Sequence, residues 1–234
     1  MLAAAALAVP AFAQVVVTVP GTSNPYLAGL PNGSSCCSGD TAPAQSPAQV
    51  TGLTLTPGSS LTFSATGGVD FAGGAPATGP DGGSFFSTSS SSGISGGTWP
   101  TNALIGVFLD NSLPTSSAAP GDLDFSTGVG TGFTTLSPAL KQAFFIGDGR
   151  TGTGAGTTQT FVVPAGATRL YLGASDGFGW FNNSGAFSVT VSAAAAPPSA
   201  APADIPTLSW PMLIVMIVAL ALGALVFRRR AGTP

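Results

Sequence analysis

Between Asp176 and Gly185 the chain reads Asp-Gly-Phe-Gly-Trp-Phe-Asn-Asn-Ser-Gly, one carboxylate followed by two adjacent side-chain amides. Carboxylate, amide and loop carbonyl oxygens are the hard donors that calcium prefers. Asp and Asn are also common turn formers, so spacing alone leaves a purely structural loop as the other reading. Catalysis has less to work with. The 234 residues include no His, which removes Ser-His-Asp and Cys-His nucleophiles and imidazole metal sites. The nine acidic residues are all Asp, so the two facing carboxylates of a glycosidase would both have to be Asp. Gly93-Ile94-Ser95-Gly96-Gly97 matches G-x-S-x-G, but it sits in a Ser/Gly tract with no His to serve it. Gly147-Asp148-Gly149-Arg150-Thr151-Gly152 matches G-x-G-x-x-G, yet Thr153-Gly154-Ala155-Gly156 follows and cannot open the helix a phosphate site needs. Lys141 is the only Lys, and no nearby pattern pairs it with a Ser. Cys36 and Cys37 are neighbours in a Gly/Ser-rich stretch. A bond between them is strained and cannot staple distant strands. Binding is therefore expected, and no enzymatic activity.

Charge narrows the partners. The net charge is −3, and three of the six basic residues stand together as Arg228, Arg229 and Arg230. The rest of the chain sets three basic residues against nine acidic ones, a surface that repels phosphate backbones and excludes nucleic acid.

The elements that must position Asp176, Asn182 and Asn183 read as strands. Leu53 and Leu55, then Leu61, Phe63 and Ala65, each skip one residue and alternate with Thr or Ser, and Phe187, Val189 and Val191 repeat the pattern. Period-two alternation marks half-buried strands. Ala103–Leu109, Ala143–Ile146, Gln159–Val163 and Arg169–Gly173 are further short apolar runs between turn residues, and Pro57-Gly58 is a turn signal. With no amphipathic helix in residues 14–192, the pattern predicts an all-β fold, an antiparallel β-sandwich. Ser84–Gly97 is Ser/Gly-rich and reads as a mobile loop.

In the order of its runs, this stretch resembles the PA-IL type galactophilic lectins over most of 49–192. The resemblance is carried by Gln159-Thr160-Phe161-Val162-Val163-Pro164, by Arg169-Leu170-Tyr171-Leu172 and by Asp176 through Asn182-Asn183-Ser184-Gly185 to Val189. Gln49-Val50-Thr51, Leu61-Thr62-Phe63 and Asn102-Ala103-Leu104-Ile105-Gly106 match earlier strands. The resemblance implies a small lectin-like, jelly-roll-like sandwich holding one calcium ion that itself binds two sugar hydroxyls. It implies Asp176, Asn182 and Asn183 as side-chain ligands and the carbonyls of Phe71 and Gly179 as backbone ones. The loop is one residue shorter than the family's, which makes the Trp180 carbonyl the alternative. Gly79-Pro80-Asp81-Gly82 matches the start of the family's sugar loop, but its His and Gln have no counterpart here. Asp176 and Asn182 would meet the sugar, with Trp180 and Phe178 covering its apolar face.

The ends read as addresses. Residues 1–13 finish in Ala11-Phe12-Ala13, the small-x-small pattern of a secretory signal cut after Ala13. Residues 193–204 form an uncharged Ala/Pro/Ser linker but for Asp204. Pro211–Phe227 is an unbroken run of 17 apolar residues, and from Leu208 the stretch suffices for a single transmembrane helix, 208–227. The Arg cluster behind it should remain cytoplasmic. Ile205, Pro206, Thr207, Leu208 and Trp210, the span and Arg228–Arg230 together resemble the IPTL-CTERM sorting signal of Gram-negative bacteria. That resemblance implies an envelope sorting peptidase as a partner and a cell-surface or released product. The expectation from sequence is thus an exported calcium-binding, carbohydrate-binding protein, the lectin resemblance implying sugars of the galactose type. The alternative is an envelope or biofilm-matrix protein in which calcium only stiffens loops.

Overall fold

The computed structural model describes residues 13–193; the rest of the expected leader, the linker beyond Ala193, the sorting motif and the 208–227 span lie outside the described residues. Two main sheets carry the fold, and it is all-β and sandwich-like. The first has five strands in the order Ala13–Pro20, Ser184–Ala193, Ser60–Asp70, Thr160–Val162, Thr135–Leu136. The second has four, in the order Ala143–Phe145, Leu104–Leu109, Arg169–Ala174, Ala48–Gln49. Among the described residues no helix is long and apolar enough to cross a membrane.

The alternation expected at 61–65 and 187–191 is what faces the core. Leu61, Phe63, Ala65, Phe187, Val189 and Val191 are all buried, while Ser64, Thr66 and Ser188 point outward. The two strands pair over ten residues, from Ser184 opposite Asp70 to Ala193 opposite Leu61. Leu104–Leu109 is buried at every position, which explains a continuous apolar run where Ser60–Asp70 and Ser184–Ala193 alternate. Across the sandwich, the Phe144 ring of the second sheet meets Phe161 of the first at 5.6 Å between centroids. Phe63 packs edge-on to Phe161 at 4.9 Å, a favoured geometry that adds to simple area burial.

Three expectations change. Thr135–Leu136 pairs parallel with Thr160–Val162, and Gly97–Pro100 pairs parallel with Leu123–Asp124, so the sheets are not purely antiparallel. Leu53 and Leu55 lie outside any strand; they rest half-buried against the core on the way into the Pro57-Gly58 turn. Alternation reports that a segment is extended with one face covered, and it is silent about whether a neighbour bonds to it. The Ser84–Gly97 loop is in part a hairpin: Phe85–Thr88 pairs with Gly97–Pro100, pinned by the Phe86–Trp99 register.

The pairing of Asp70 with Ser184 places two loops at one end of the sandwich, 71–78 leaving the first strand and 176–183 entering the second. Ala174, at the end of Arg169–Ala174, stands opposite Leu104, which brings Asn102 to the same end.

Candidate functional site

Ser175 fixes where the 176–183 loop begins. Its N–H donates to Ala103 O, its carbonyl accepts the Asn102 N–H, and its hydroxyl donates to Pro100 O and accepts the Ala103 N–H. Asp176 follows and is only 4% exposed. Its Oδ1 accepts the Phe178 N–H at 3.1 Å, whereas its Oδ2 is buried without a partner. Burial pushes the Asp176 carboxyl above the usual carboxylate range, the Phe178 N–H and the neighbouring Asn183 amide opposing that rise. Asn183, 8% exposed, donates from Nδ2 to Gly21 O at 3.0 Å and leaves its own Oδ1 buried and unpartnered. A third unpartnered buried oxygen, Asn102 Oδ1, lies at this end of the sandwich.

Leaving a buried acceptor unpaired costs about 1–3 kcal/mol, so native chains pair them. Here Asp176 Oδ2 and Asn183 Oδ1 accept no hydrogen bond, the Asn183 amide N–H being taken up by Gly21 O. Hard oxygens in that state fit a cation, and the donor set of carboxylate, amides and carbonyls fits calcium. Among the described residues no three acids or cysteines cluster, so the set carries little charge.

The second loop completes the surroundings. Asp70 Oδ1 accepts the N–H groups of Ala72 and Gly74, at 2.9 and 2.7 Å, and so curls the loop that carries Phe71. Ser184 Oγ donates to Gly74 O at 2.6 Å and ties the two loops together. A cleft of about 420 Å³ opens between them, lined by Phe71, Ala72, Phe86, Asp176, Phe178 and Asn182 among others. Small-molecule sites typically span roughly 300–1,000 Å³. Of the residues singled out by sequence, Phe71, Asp176, Phe178 and Asn182 thus share one cleft. Gly179, buried with φ at 78°, opens the short 3₁₀ turn Trp180–Asn182. The Trp180 carbonyl already accepts the Asn183 N–H within that turn.

Trp180 departs from its expected role. It is 1% exposed, packs edge-on to Tyr26 at 5.8 Å, and donates its indole N–H to Ala174 O. Its ring cannot cover a ligand. Phe178, 71% exposed at the cleft, is the available aromatic face.

Sequence reasoning missed Asp40. Its carboxylate is fully buried and accepts three hydrogen bonds at 2.9 Å, from the Trp180 N–H, the Phe181 N–H and Asn24 Nδ2. It anchors the middle of the 176–183 loop from the other end of the chain. The only local signal was an Asp following Gly39 in a Gly/Ser-rich stretch, which reads as a turn.

The motifs set aside for catalysis are structural. Ser95 is buried, its hydroxyl donating to Gly96 O and accepting the Ala143 N–H. Lys141 Nζ donates to the carbonyls of Pro114, Ser117 and Ala118 and to Ser117 Oγ, clasping a loop. Arg150–Gly152, inside the G-x-G-x-x-G stretch, is a strand. Comparison of the chain with protein-family models, curated proteins and solved structures finds no match.

Proposed function

We propose that the chain is an exported, calcium-binding, carbohydrate-binding protein of the cell envelope, lectin-like and jelly-roll-like in fold and not an enzyme. The observation that carries this reading is the pair of buried, unpartnered oxygens, Asp176 Oδ2 and Asn183 Oδ1, beside an aromatic-rimmed cleft. Asp176, Asn182 and Asn183 would hold the ion with the carbonyls of Phe71 and Gly179. When bound, calcium offers open coordination positions that two adjacent sugar hydroxyls fill as hard donors. The chain's own part is to hold these oxygens in place. Asp40 fixes the loop backbone, Gly21 O fixes the Asn183 amide, and the Ser184–Gly74 bond keeps the loops together. Phe178 presents a ring face to the apolar side of a sugar. Residues 1–13 would be a removed leader and 208–227 a membrane span, with 205–230 the tag read by a sorting peptidase.

The test uses the full chain stripped with EDTA. Calcium at 100 times its dissociation constant should stabilise it by about 2.7 kcal/mol. An unchanged melting temperature sinks the proposal. A glycan array should then show retention that needs calcium and is lost with Phe178→Ala. Stabilisation by calcium without retention of any glycan selects the matrix reading, in which the ion only reinforces the Ser184–Gly74 tie between the loops.

A further inference from the structure

Behind the site, on the small hairpin of Ser35–Cys36 and Asp40–Thr41, stands a second cluster of reactive groups. Cys36 and Cys37 are both free and half-buried, and the Cys37 thiol donates to Ser91 Oγ at 3.8 Å. Asn24 Nδ2 donates to Cys36 Sγ at 3.3 Å and to Asp40 Oδ2 at 2.9 Å. Asp40 in turn holds the N–H groups of Trp180 and Phe181. Cys36 and Asp40 also face each other directly in the hairpin register. The turn between them has three successive residues in the left-handed region, Cys37 at φ 50°, Ser38 at 68° and Gly39 at 113°. Non-glycine residues rarely adopt that conformation, so two in succession mark a segment held by its surroundings.

We propose that Cys36 and Cys37 form a redox site, at which a disulfide-bearing oxidant closes a bond between the two neighbours, and that this closure loosens the Asp40 anchor of the 176–183 loop. The adjacent Cys36 thiol holds the Cys37 thiol down to about 7, while Cys37 and burial push Cys36 up. Cys37 is therefore the attacking thiolate. It attacks one sulfur of the oxidant, forming a mixed disulfide and expelling the first thiolate, which takes a proton from water. Cys36 then loses its proton to solvent and attacks the Cys37 sulfur, expelling the second thiolate. The chain gives up two electrons and two protons, and the oxidant's disulfide becomes two thiols. Closure withdraws Cys36 Sγ from Asn24 and rebuilds the turn that sets the position of Asp40. The path from sulfur to loop is one side-chain amide and one carboxylate long.

The consequence for ligand binding rests on the calcium reading; the chemistry and the loop response do not. The full chain is compared after dithiothreitol and after oxidised glutathione. Oxidation should remove two hydrogens from the intact mass and leave the 36–37 peptide resistant to alkylation without a glutathione adduct. Amide exchange at Trp180 and Phe181 should accelerate. Calcium affinity should fall by a factor within about 5 to 150, the usual range of coupling between sites. Cys37→Ser should abolish closure, and Cys36→Ser should stop at the mixed disulfide. Glutathione adducts or interchain dimers alone would overturn the proposal. So would closure with unchanged exchange at 180 and 181, or, in a chain that does bind calcium, with unchanged affinity for it. Faster exchange in a chain that binds no calcium in either state supports the redox coupling and removes only the calcium reading.

Discussion

Asp176 is a residue whose placement costs the fold stability, because its Oδ2 is buried and accepts no hydrogen bond. An amide at that position offers a donor in place of an acceptor, beside the unpaired Oδ1 of Asn183. Asp176→Asn should therefore stabilise the calcium-free chain at neutral pH by about 1–3 kcal/mol, the cost of an unsatisfied buried group. The same substitution should abolish stabilisation by calcium, because it removes the charged donor. Urea denaturation with and without calcium checks both halves, and a variant no more stable than the parent in EDTA contradicts the first. A different carboxyl sets a pH signature. Burial raises the Asp81 carboxyl above its ordinary range, and the charge of nearby Asp148 adds to the rise. A raised folded pKa means that the native state holds the proton more tightly than the unfolded chain. The contribution of Asp81 is thus most favourable below about 3.9, the unfolded value, and is lost as pH climbs through the raised one. Melting temperatures recorded from pH 4 to 7 should fall less with rising pH in Asp81→Asn than in the parent.

At the scale of elements, the strands legible in the sequence are those whose burial is one-sided and long. Ser60–Asp70 and Ser184–Ala193 announce themselves because alternate residues, Leu61, Phe63 and Ala65 in one and Phe187, Val189 and Val191 in the other, meet the core. Leu104–Leu109 is legible for the opposite reason, being apolar throughout. The Phe85–Thr88 hairpin was hidden because each face mixes a Phe with a hydroxyl residue, Phe85 with Ser87 and Phe86 with Thr88, so no apolar-polar alternation marks it. The site divides the same way. Asp176, Asn182 and Asn183 are local in sequence and could be found there, while Asp40 acts across 140 residues and carries no local mark. The burial of Trp180 was also invisible, since Tyr26, which covers it, is set by the long-range pairing of the sheets. Gly185 shows how tightly the element joins the site. It has φ at 79°, and a Cβ there would lie 2.3 Å from Gly68 O and 2.4 Å from Pro76 Cβ. Gly58 has the same φ of 79° with open space around it. Gly58→Ala should cost only backbone strain, about 1–2 kcal/mol. Gly185→Ala adds a collision with backbone and should cost clearly more, with a displaced 71–78 loop and weaker calcium stabilisation. Urea midpoints of the two variants, with unchanged m, measure the difference; equal losses would show that the two loops are not locked together.

For the whole molecule, weak sites and surface display belong together. On the proposed reading, without the His and Gln of the lectins that the sequence resembles, fewer hydrogen bonds would orient a sugar, each worth about 0.5–1.5 kcal/mol net. Per-site affinity should then lie near millimolar, about −4 kcal/mol, against about −8 kcal/mol for micromolar binding. Such affinity serves adhesion only where many copies share one surface and each bound sugar raises the effective concentration at the next. The run from Leu208 to Phe227, closed by Arg228–Arg230, is long enough to provide that surface by crossing the membrane with its basic end in the cytoplasm. Ending the chain at Ala203 takes away the apolar run but no residue of the two sheets or of either loop. The shortened chain should be exported with residues 1–13 removed, recovered free of the envelope, and retain calcium stabilisation equal to that of the full chain. Cells making it should lose calcium-dependent adhesion to immobilised glycan, even though the secreted domain still shows its millimolar shifts in solution. Fractionation of the two chains decides the matter. If the truncated chain partitions with the envelope as the full chain does, the anchor lies elsewhere, and the coupling of weak binding to membrane display fails with it.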